Sequence, residues 1–287
     1  MLKNVLVTGG SGFIGSHVVD ALVKKKYNVT IIDTVPPKRK DVKFVKGNIL
    51  NKKLIKILLK NNKLIFHLAA VSDINKVINI PETTISINVL GTTILLEEAR
   101  RAKVKRFIFA SSYYSYGNAG NLYTTSKTAS ELIIENYNLL FDLKYTILRY
   151  PTAYGPRNRK VDAISIFVDR AIKNKNLIVH GNGKQKRNYL HVKDLGDGSV
   201  FALNRQLVNK TVVLASKNSI EVINLAKKII KLTKSKSKII LKKEKKRIDD
   251  FNSNKIYIKK NDYLPGWRPK YNLTSGLLHY IKYKKIR

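Results

Sequence analysis

The sequence contains no cysteine. That removes disulfides, thiolate nucleophiles and cysteine-ligated zinc from consideration. Acids are scarce: 19 Asp and Glu stand against 56 Lys and Arg, a net charge of +37. The five histidines (His17, His67, His180, His191 and His279) show no HxxxH-like spacing, so a metal centre is not expected. No apolar run approaches the roughly 18 residues that a membrane span needs. The N-terminus is unlike a signal peptide, since only Val5, Leu6 and Val7 are continuously apolar before the Thr8-Gly9-Gly10 turn. No membrane partner and a cytoplasmic location are expected on these grounds.

The excess of base ordinarily points to nucleic acid. Here the lysines and arginines are spread through every segment, without an RNP or zinc-finger pattern. The densest stretch, residues 225–247, holds eleven of them and one acid, Glu244. Solvated helix faces and loops account for such a distribution. The field favours anionic ligands such as nucleotide pyrophosphates, and no specific nucleic-acid partner is expected.

Short β-rich runs alternate with helical patterns through the first 150 residues. Strands are expected at 4–8, 28–33, 42–46, 64–68, 106–111 and 144–149, and helices at 12–25, 51–59, 88–102 and 125–140. This alternation predicts an α/β fold of the Rossmann type, a doubly wound parallel sheet. After Pro151 the pattern loosens. Helices near 162–173, 194–203, 219–232 and 273–284, with strands at 177–179 and 211–215, suggest a smaller C-terminal lobe over 151–287, with a soft boundary.

Gly9-Gly10-Ser11-Gly12-Phe13-Ile14-Gly15 follows the first strand and opens a helix. Glycines there permit a tight turn and close approach of a pyrophosphate to the helix N-terminus. Asp33 ends the second strand, where a carboxylate accepts both ribose hydroxyls and repels a 2′-phosphate. NAD is therefore expected over NADP, with Lys38-Arg39-Lys40 nearby keeping the phosphorylated form in view. Further on, Tyr123 and Lys127 lie four residues apart near a helix start, behind the fifth strand and Ser111-Ser112. That spacing places phenol and ammonium on one face, and a cation there lowers a tyrosine's pKa.

With these motifs in place, the chain resembles the extended short-chain dehydrogenases/reductases of the nucleotide-sugar epimerase/dehydratase family, nearly end to end. Gly47-Asn48-Ile49 resembles G-D-I, and His67-Leu68-Ala69-Ala70 the fourth-strand cofactor segment. Asn88-Val89-Leu90-Gly91-Thr92 resembles N-V-x-G-T, and residues 111–117 resemble S-S-x-x-V-Y-G. Residues 149–157, through Pro151 and Thr152, resemble R-Y-F-N-V-Y-G-P-R; residues 181–189, through Arg187, resemble G-D-G-x-Q-x-R-D-Y. Arg247-Ile248-Asp249-Asp250 and Gly266-Trp267-Arg268-Pro269 stand at the spacing of R-P-G-D and G-W-x-P.

The resemblance implies a division of roles. Tyr123 is the general acid/base on a sugar hydroxyl, Ser112 bonds the same oxygen, and Lys127 fixes the nicotinamide ribose. Gly9, Gly12, Phe13, Ile14, Gly15, Asp33, Asn48, Ile49, Leu68, Ala69, Ala70, Asn88, Tyr123, Lys127 and Pro151 surround NAD. Ser112, Thr152, Arg187 and Arg247 meet a nucleotide sugar. The implied activity is a UDP-glucose/UDP-galactose 4-epimerase by transient oxidation and re-reduction, in a homodimer. A reductase, decarboxylase or dehydratase is the alternative within the family, and a basic dinucleotide-sensing regulator the one outside it. There are departures: Asn48 replaces Asp, Thr152 replaces Asn, the link from Tyr116 to Tyr123 is short, and Tyr113-Tyr114 occupy the Asp-Glu positions of 4,6-dehydratases.

Overall fold

Val5, Leu6 and Val7 are fully buried and form β1 (Asn4–Thr8) at the middle of the main sheet. The computed structural model describes residues 3–116, 121–158, 162–243 and 258–286. In chain order the elements are β1, α1 (Phe13–Lys24), β2 (Asn28–Asp33), β3 (Lys43–Lys46), α2 (Lys52–Leu59), β4 (Leu64–His67), α3 (Ile74–Asn79) and α4 (Pro81–Ile85). A π-helical turn (Ser86–Leu90) leads into α5 (Gly91–Arg101), followed by β5 (Arg106–Ser112), a 3₁₀ turn (Tyr113–Tyr116), α6 (Leu122–Phe141), β6 (Tyr145–Tyr150) and β7 (Thr152–Tyr154). Then come α7 (Ala163–Ile172), β8 (Leu177–His180), β9 (Lys186–His191), α8 (Val192–Phe201), β10 (Lys210–Val213), β11 (Ser219–Glu221), α9 (Val222–Thr233), β12 (Ile239–Lys242) and α10 (Leu273–Lys285).

The main sheet has seven parallel strands in the order β10-β6-β5-β4-β1-β2-β3. The order reverses between β1 and β4, which opens a crevice at their C-terminal ends. Covered strands read as continuous apolar runs rather than alternating ones, and β5 is buried along its whole length. One face packs on α1 and α8, through Val18, Leu22, Leu195 and Val200. The other packs on α2, α5 and α6, through Ile55, Leu95 and Ile134. Each such side chain stabilises the fold by about 1.5–3 kcal/mol. Helices α1 and α8 approach closely because α8 carries Gly196, where a Cβ would stand 2.6 Å from the His17 carbonyl oxygen.

The chain crosses the division near residue 150 more than once. Strand β10 returns to pair with β6, and α8 covers α1. The remaining second half forms a three-stranded sheet (β11-β9-β7), a parallel pair (β12-β8) and a separate core of α7, α9 and α10 around Phe167, Leu225 and Tyr280. Strands β7, β9, β11 and β12 and helices α3 and α4 were not expected from the sequence pattern; they are short and their partners are remote in sequence. Among the described residues no helix is long and apolar enough to cross a membrane.

Candidate active site

The glycine loop owes its shape to close backbone approach. Gly9 has φ +71°, and a Cβ there would lie 2.6 Å from the Ala69 nitrogen; a Cβ on Gly15 would lie 2.0 Å from the Gly9 carbonyl oxygen. No side chain caps α1, whose N-cap is Gly12 and whose first turn carries no acid. The free N–H groups and the positive end of the helix dipole therefore face the crevice. Asp33 is oriented by two backbone donors: Ser11 N–H to Oδ2 at 3.0 Å and Val35 N–H to Oδ1 at 3.2 Å. This uncapped, side-chain-free cradle with a fixed carboxylate at the end of β2 fits a dinucleotide. Arg39, part of the basic run after β2, is committed elsewhere, to Asp20 at 2.7 Å and to Asp41.

Beneath the loop runs a chain of buried hydroxyls centred on His67. The Thr92 hydroxyl donates to the Asn88 carbonyl at 2.6 Å, so at 2.9 Å from His67 Nε2 it accepts. His67 thus carries its proton on Nε2, and Nδ1 accepts from the Thr8 hydroxyl at 2.7 Å. Thr8 in turn accepts from Ala69 N–H at 3.2 Å. Burial, followed by the charge of Lys127, pushes His67 down to about 3. It is a neutral strut that sets the segment after β4. Asn88, in the π-helical turn, clamps the same segment from the other side. Its Oδ1 accepts Val71 N–H at 2.8 Å, and Nδ2 donates to the Val71 carbonyl at 3.0 Å and to Ser126 Oγ at 2.9 Å. Asn88 is buried and does not line the crevice; it fixes Val71 and α6 from behind.

Helix α6 starts one turn earlier than the sequence pattern predicts, because Asn121 caps it by accepting Thr124 N–H at 2.8 Å. Tyr123 is therefore in the first turn, and Lys127 one turn further in. Lys127 is 4% exposed; Nζ donates to the Ala110 carbonyl at 2.7 Å and lies 4.6 Å from the Phe109 ring centre. Burial pulls this ammonium down to about 8, while Glu131 pushes it back up. Burial pushes the Tyr123 hydroxyl up to about 12, and a hydrogen bond with Ser112 opposes the shift. Burial thus outweighs the expected depression of the tyrosine by Lys127, one of whose ammonium protons goes to the Ala110 carbonyl.

These groups meet in one crevice of about 740 Å³. It is lined by Gly9, Gly12, Phe13, Ile14, Gly15, Asp33, Asn48, Ile49, Leu68, Ala69, Ala70, Ser112, Tyr123, Lys127, Pro151 and Thr152. Tyr114 also lines it, packed edge-on against Tyr113 at 6.0 Å. Burial pushes Tyr113 up to about 12, which keeps it a neutral phenol. Arg187 lies on β9 and is not among the lining residues. Arg247 and the short link before Tyr123 at residues 117–120 lie outside the described residues.

Sequence reasoning gave Glu131 no role and met Arg149 only as the first residue of a family motif; the fold joins the two behind the crevice. Arg149 Nη2 reaches Glu131 Oε2 at 2.5 Å, Nε reaches Oε1 at 3.0 Å, and the Ser111 hydroxyl donates to Oε1. The available signal was spacing, since Tyr123, Lys127 and Glu131 recur every four residues along one helix face.

Known proteins place this arrangement. Residues 5–215 match the model of the NAD dependent epimerase/dehydratase family. The chain is 32% identical, over 98% of its own length and 98% of the relative's, to a Methanocaldococcus jannaschii protein named "Putative UDP-glucose 4-epimerase". It is 28% identical to the dTDP-D-glucose 4,6-dehydratase of Bos taurus, covering 98% of this chain and 88% of that one. Among solved structures, the UDP-glucose 4-epimerase of Thermotoga maritima with UDP-glucose superposes with a TM-score of 0.89 at 26% identity, covering 99% of both chains. The chain belongs to the NAD-dependent epimerase/dehydratase family, with NAD as its cofactor.

Proposed function

We propose that this protein is a nucleotide-sugar 4-epimerase that interconverts UDP-glucose and UDP-galactose. The observation that carries the reading is the convergence of Ser112, Tyr123 and Lys127 on the crevice that also holds the glycine loop and Asp33. The names of the Methanocaldococcus and Thermotoga relatives support the same substrate.

On this reading the first 150 residues mainly carry the cofactor, and residues 151–287 mainly carry the sugar nucleotide, with Thr152, Arg187 and Arg247 contributing contacts. NAD, when bound, supplies the hydride acceptor and donor. The Tyr123 oxygen would take the proton of the sugar C4 hydroxyl during oxidation at that carbon and return it to the same oxygen on reduction. Ser112 holds that oxygen. Because burial raises Tyr123 to about 12, a cation is needed to make its phenolate accessible. Lys127, pulled down only to about 8, is still mostly charged at neutral pH.

The family also contains dehydratases and decarboxylases. Removing water across C5 and C6 needs one group to take the C5 proton and another to protonate the departing hydroxyl. The sequence has Tyr113 and Tyr114 at the positions of the dehydratase carboxyl pair; burial and the neighbouring phenols of Tyr263, Tyr114 and Tyr116 push Tyr113 up to about 12, and without a cation of the kind Lys127 offers Tyr123 it is a poor base at neutral pH. The test is to supply UDP-glucose and NAD and follow the product by mass and sugar analysis. UDP-galactose at unchanged mass is expected; loss of water overturns the reading.

A two-fold dimer is part of the proposal. Leu90, Leu132, Leu139 and Leu140, on the π-helical turn and α6, are more than half exposed, and a second copy of the same face would cover them. Light scattering that gives only monomer at micromolar concentration speaks against it.

A further inference from the structure

The excess of base is spread along the sequence, but the fold gathers part of it at one end of the second half. Helices α7 and α9 both end there, and the turns that follow them lead into the parallel pair β8 and β12. In both turns short polar residues alternate with lysines: Lys173-Asn174-Lys175-Asn176 and Lys234-Ser235-Lys236-Ser237-Lys238. The short residues lock the turns together. Asn174 Oδ1 accepts Lys236 N–H at 2.9 Å and the Ser235 hydroxyl at 3.1 Å. Asn176 Oδ1 accepts Lys238 N–H at 3.1 Å, and the Ser237 hydroxyl donates to the Lys175 carbonyl at 2.8 Å. The lysines are left outside: Lys173, Lys175, Lys234, Lys236 and Lys238 are all exposed. Among the described residues no ion pair uses any of them.

Two of the five have a local service. Lys173 and Lys234 cap the C-termini of α7 and α9, where a cation complements the helix dipole. Lys234 does so at φ +55°, a left-handed conformation for which glycine is the ordinary residue. Lys175, Lys236 and Lys238 have no such service, and residues 170–176 and 233–243 contain no acid to balance them. Next on β12 stand Ile240 and Leu241, which are 45% and 54% exposed. Lysines without arginine forks or aromatic rings suit a field of diffuse negative charge better than a single base or phosphate. Apolar side chains protruding among them suit the boundary between lipid headgroups and acyl chains. We propose that this platform docks the protein on an anionic lipid surface, with the lysines over the headgroups and Ile240 and Leu241 at the acyl boundary. Such contact needs no spanning helix. None of the five lysines lines the crevice. Strand β8 and the loop after it separate the platform from β9, whose neighbour β7 carries Thr152 into the crevice, so docking leaves the crevice accessible.

A chain of net charge +37 is drawn to any anionic surface, so the experiment must separate this face from the total charge. The full-length protein is sedimented at physiological salt with vesicles of equal parts phosphatidylglycerol and phosphatidylcholine, and its binding to duplex DNA is measured in parallel. One variant combines Lys175→Gln, Lys236→Gln and Lys238→Gln. Its control combines Lys24→Gln, Lys25→Gln and Lys53→Gln, exposed positions on the first half of the chain, and carries the same net charge. Each platform lysine should account for about fivefold in vesicle affinity, so the first variant should lose about a hundredfold and the control much less. Ile240→Ser with Leu241→Ser should weaken vesicle binding by about tenfold and leave DNA binding unchanged. Thermal melts and NAD affinity close to wild type show that the variants are folded, as substitutions at exposed positions allow. Equal losses in the two lysine variants mean that net charge alone acts, and overturn the proposal. A serine pair that binds vesicles like the wild type leaves only a general polyanion site and overturns it too, as does a wild type that fails to sediment with these vesicles.

Discussion

Acidification should unfold this protein in a region set by three buried imidazoles. His17, His67 and His191 are 5%, 1% and 1% exposed. Burial, with help from nearby positive charge, pushes them down to about 4, 3 and 3. In the unfolded chain each returns to about 6.5. The native state therefore stays neutral while the unfolded state takes up protons, so stability is present above pH 6.5 and is lost as pH falls towards the folded values. At pH 5 the unfolded state gains about 2 kcal/mol from each group, and about 6 kcal/mol from the three together. That is comparable with the whole stability of an ordinary domain. The buried carboxyls Asp162 and Asp194, raised by burial, oppose the trend, and the repulsion of a +37 chain adds to it. His67→Asn isolates one contribution: its amide oxygen can take the place of Nδ1 and accept from Thr8 without titrating. The assay is urea unfolding at pH 7 and pH 5, followed by the fluorescence of the single tryptophan, Trp267, which packs against the core. The variant should lose about 2 kcal/mol less than the wild type between the two pH values. Equal losses refute the account of His67 as a neutral strut.

Three further perturbations address the crevice. Tyr123→Phe keeps the ring and removes the proton carrier, so turnover of UDP-glucose should fall by about 10²–10⁴ while NAD binding, measured calorimetrically, persists. Asp33→Ala removes the carboxylate that Ser11 and Val35 orient; NAD affinity should fall far more than NADP affinity, and equal losses remove the ribose assignment. Gly15→Ala puts a methyl 2.0 Å from the Gly9 carbonyl oxygen, so the loop must move; NAD binding should be lost in a protein whose circular dichroism is unchanged.

The sequence by itself determined the half of the fold whose signals are local. Apolar runs such as Val5 to Val7 and Phe107 to Ala110 announce buried parallel strands, because such strands are covered on both faces. The glycine loop and Asp33 are legible for the same reason: their chemistry is written within one βαβ unit. Tyr123, Lys127 and Ser112 were legible through their spacing and order. Tertiary structure decided the rest. Strand β10 rejoins β6 through contacts between residues some sixty positions apart, which no local period encodes, so the soft division near residue 150 is crossed. The role of Asn88 as a clamp depends on Val71 and Ser126 arriving from two other elements. The pKa of Tyr123 was read from a neighbouring cation, yet it is burial that moves it furthest, and burial belongs to the assembled fold. Glu131 and Arg149 lie eighteen residues apart, on a helix and a strand, and no local pattern pairs them. Only the packing of α6 against β6 brings them together, as a carboxylate and a guanidinium paired behind the crevice.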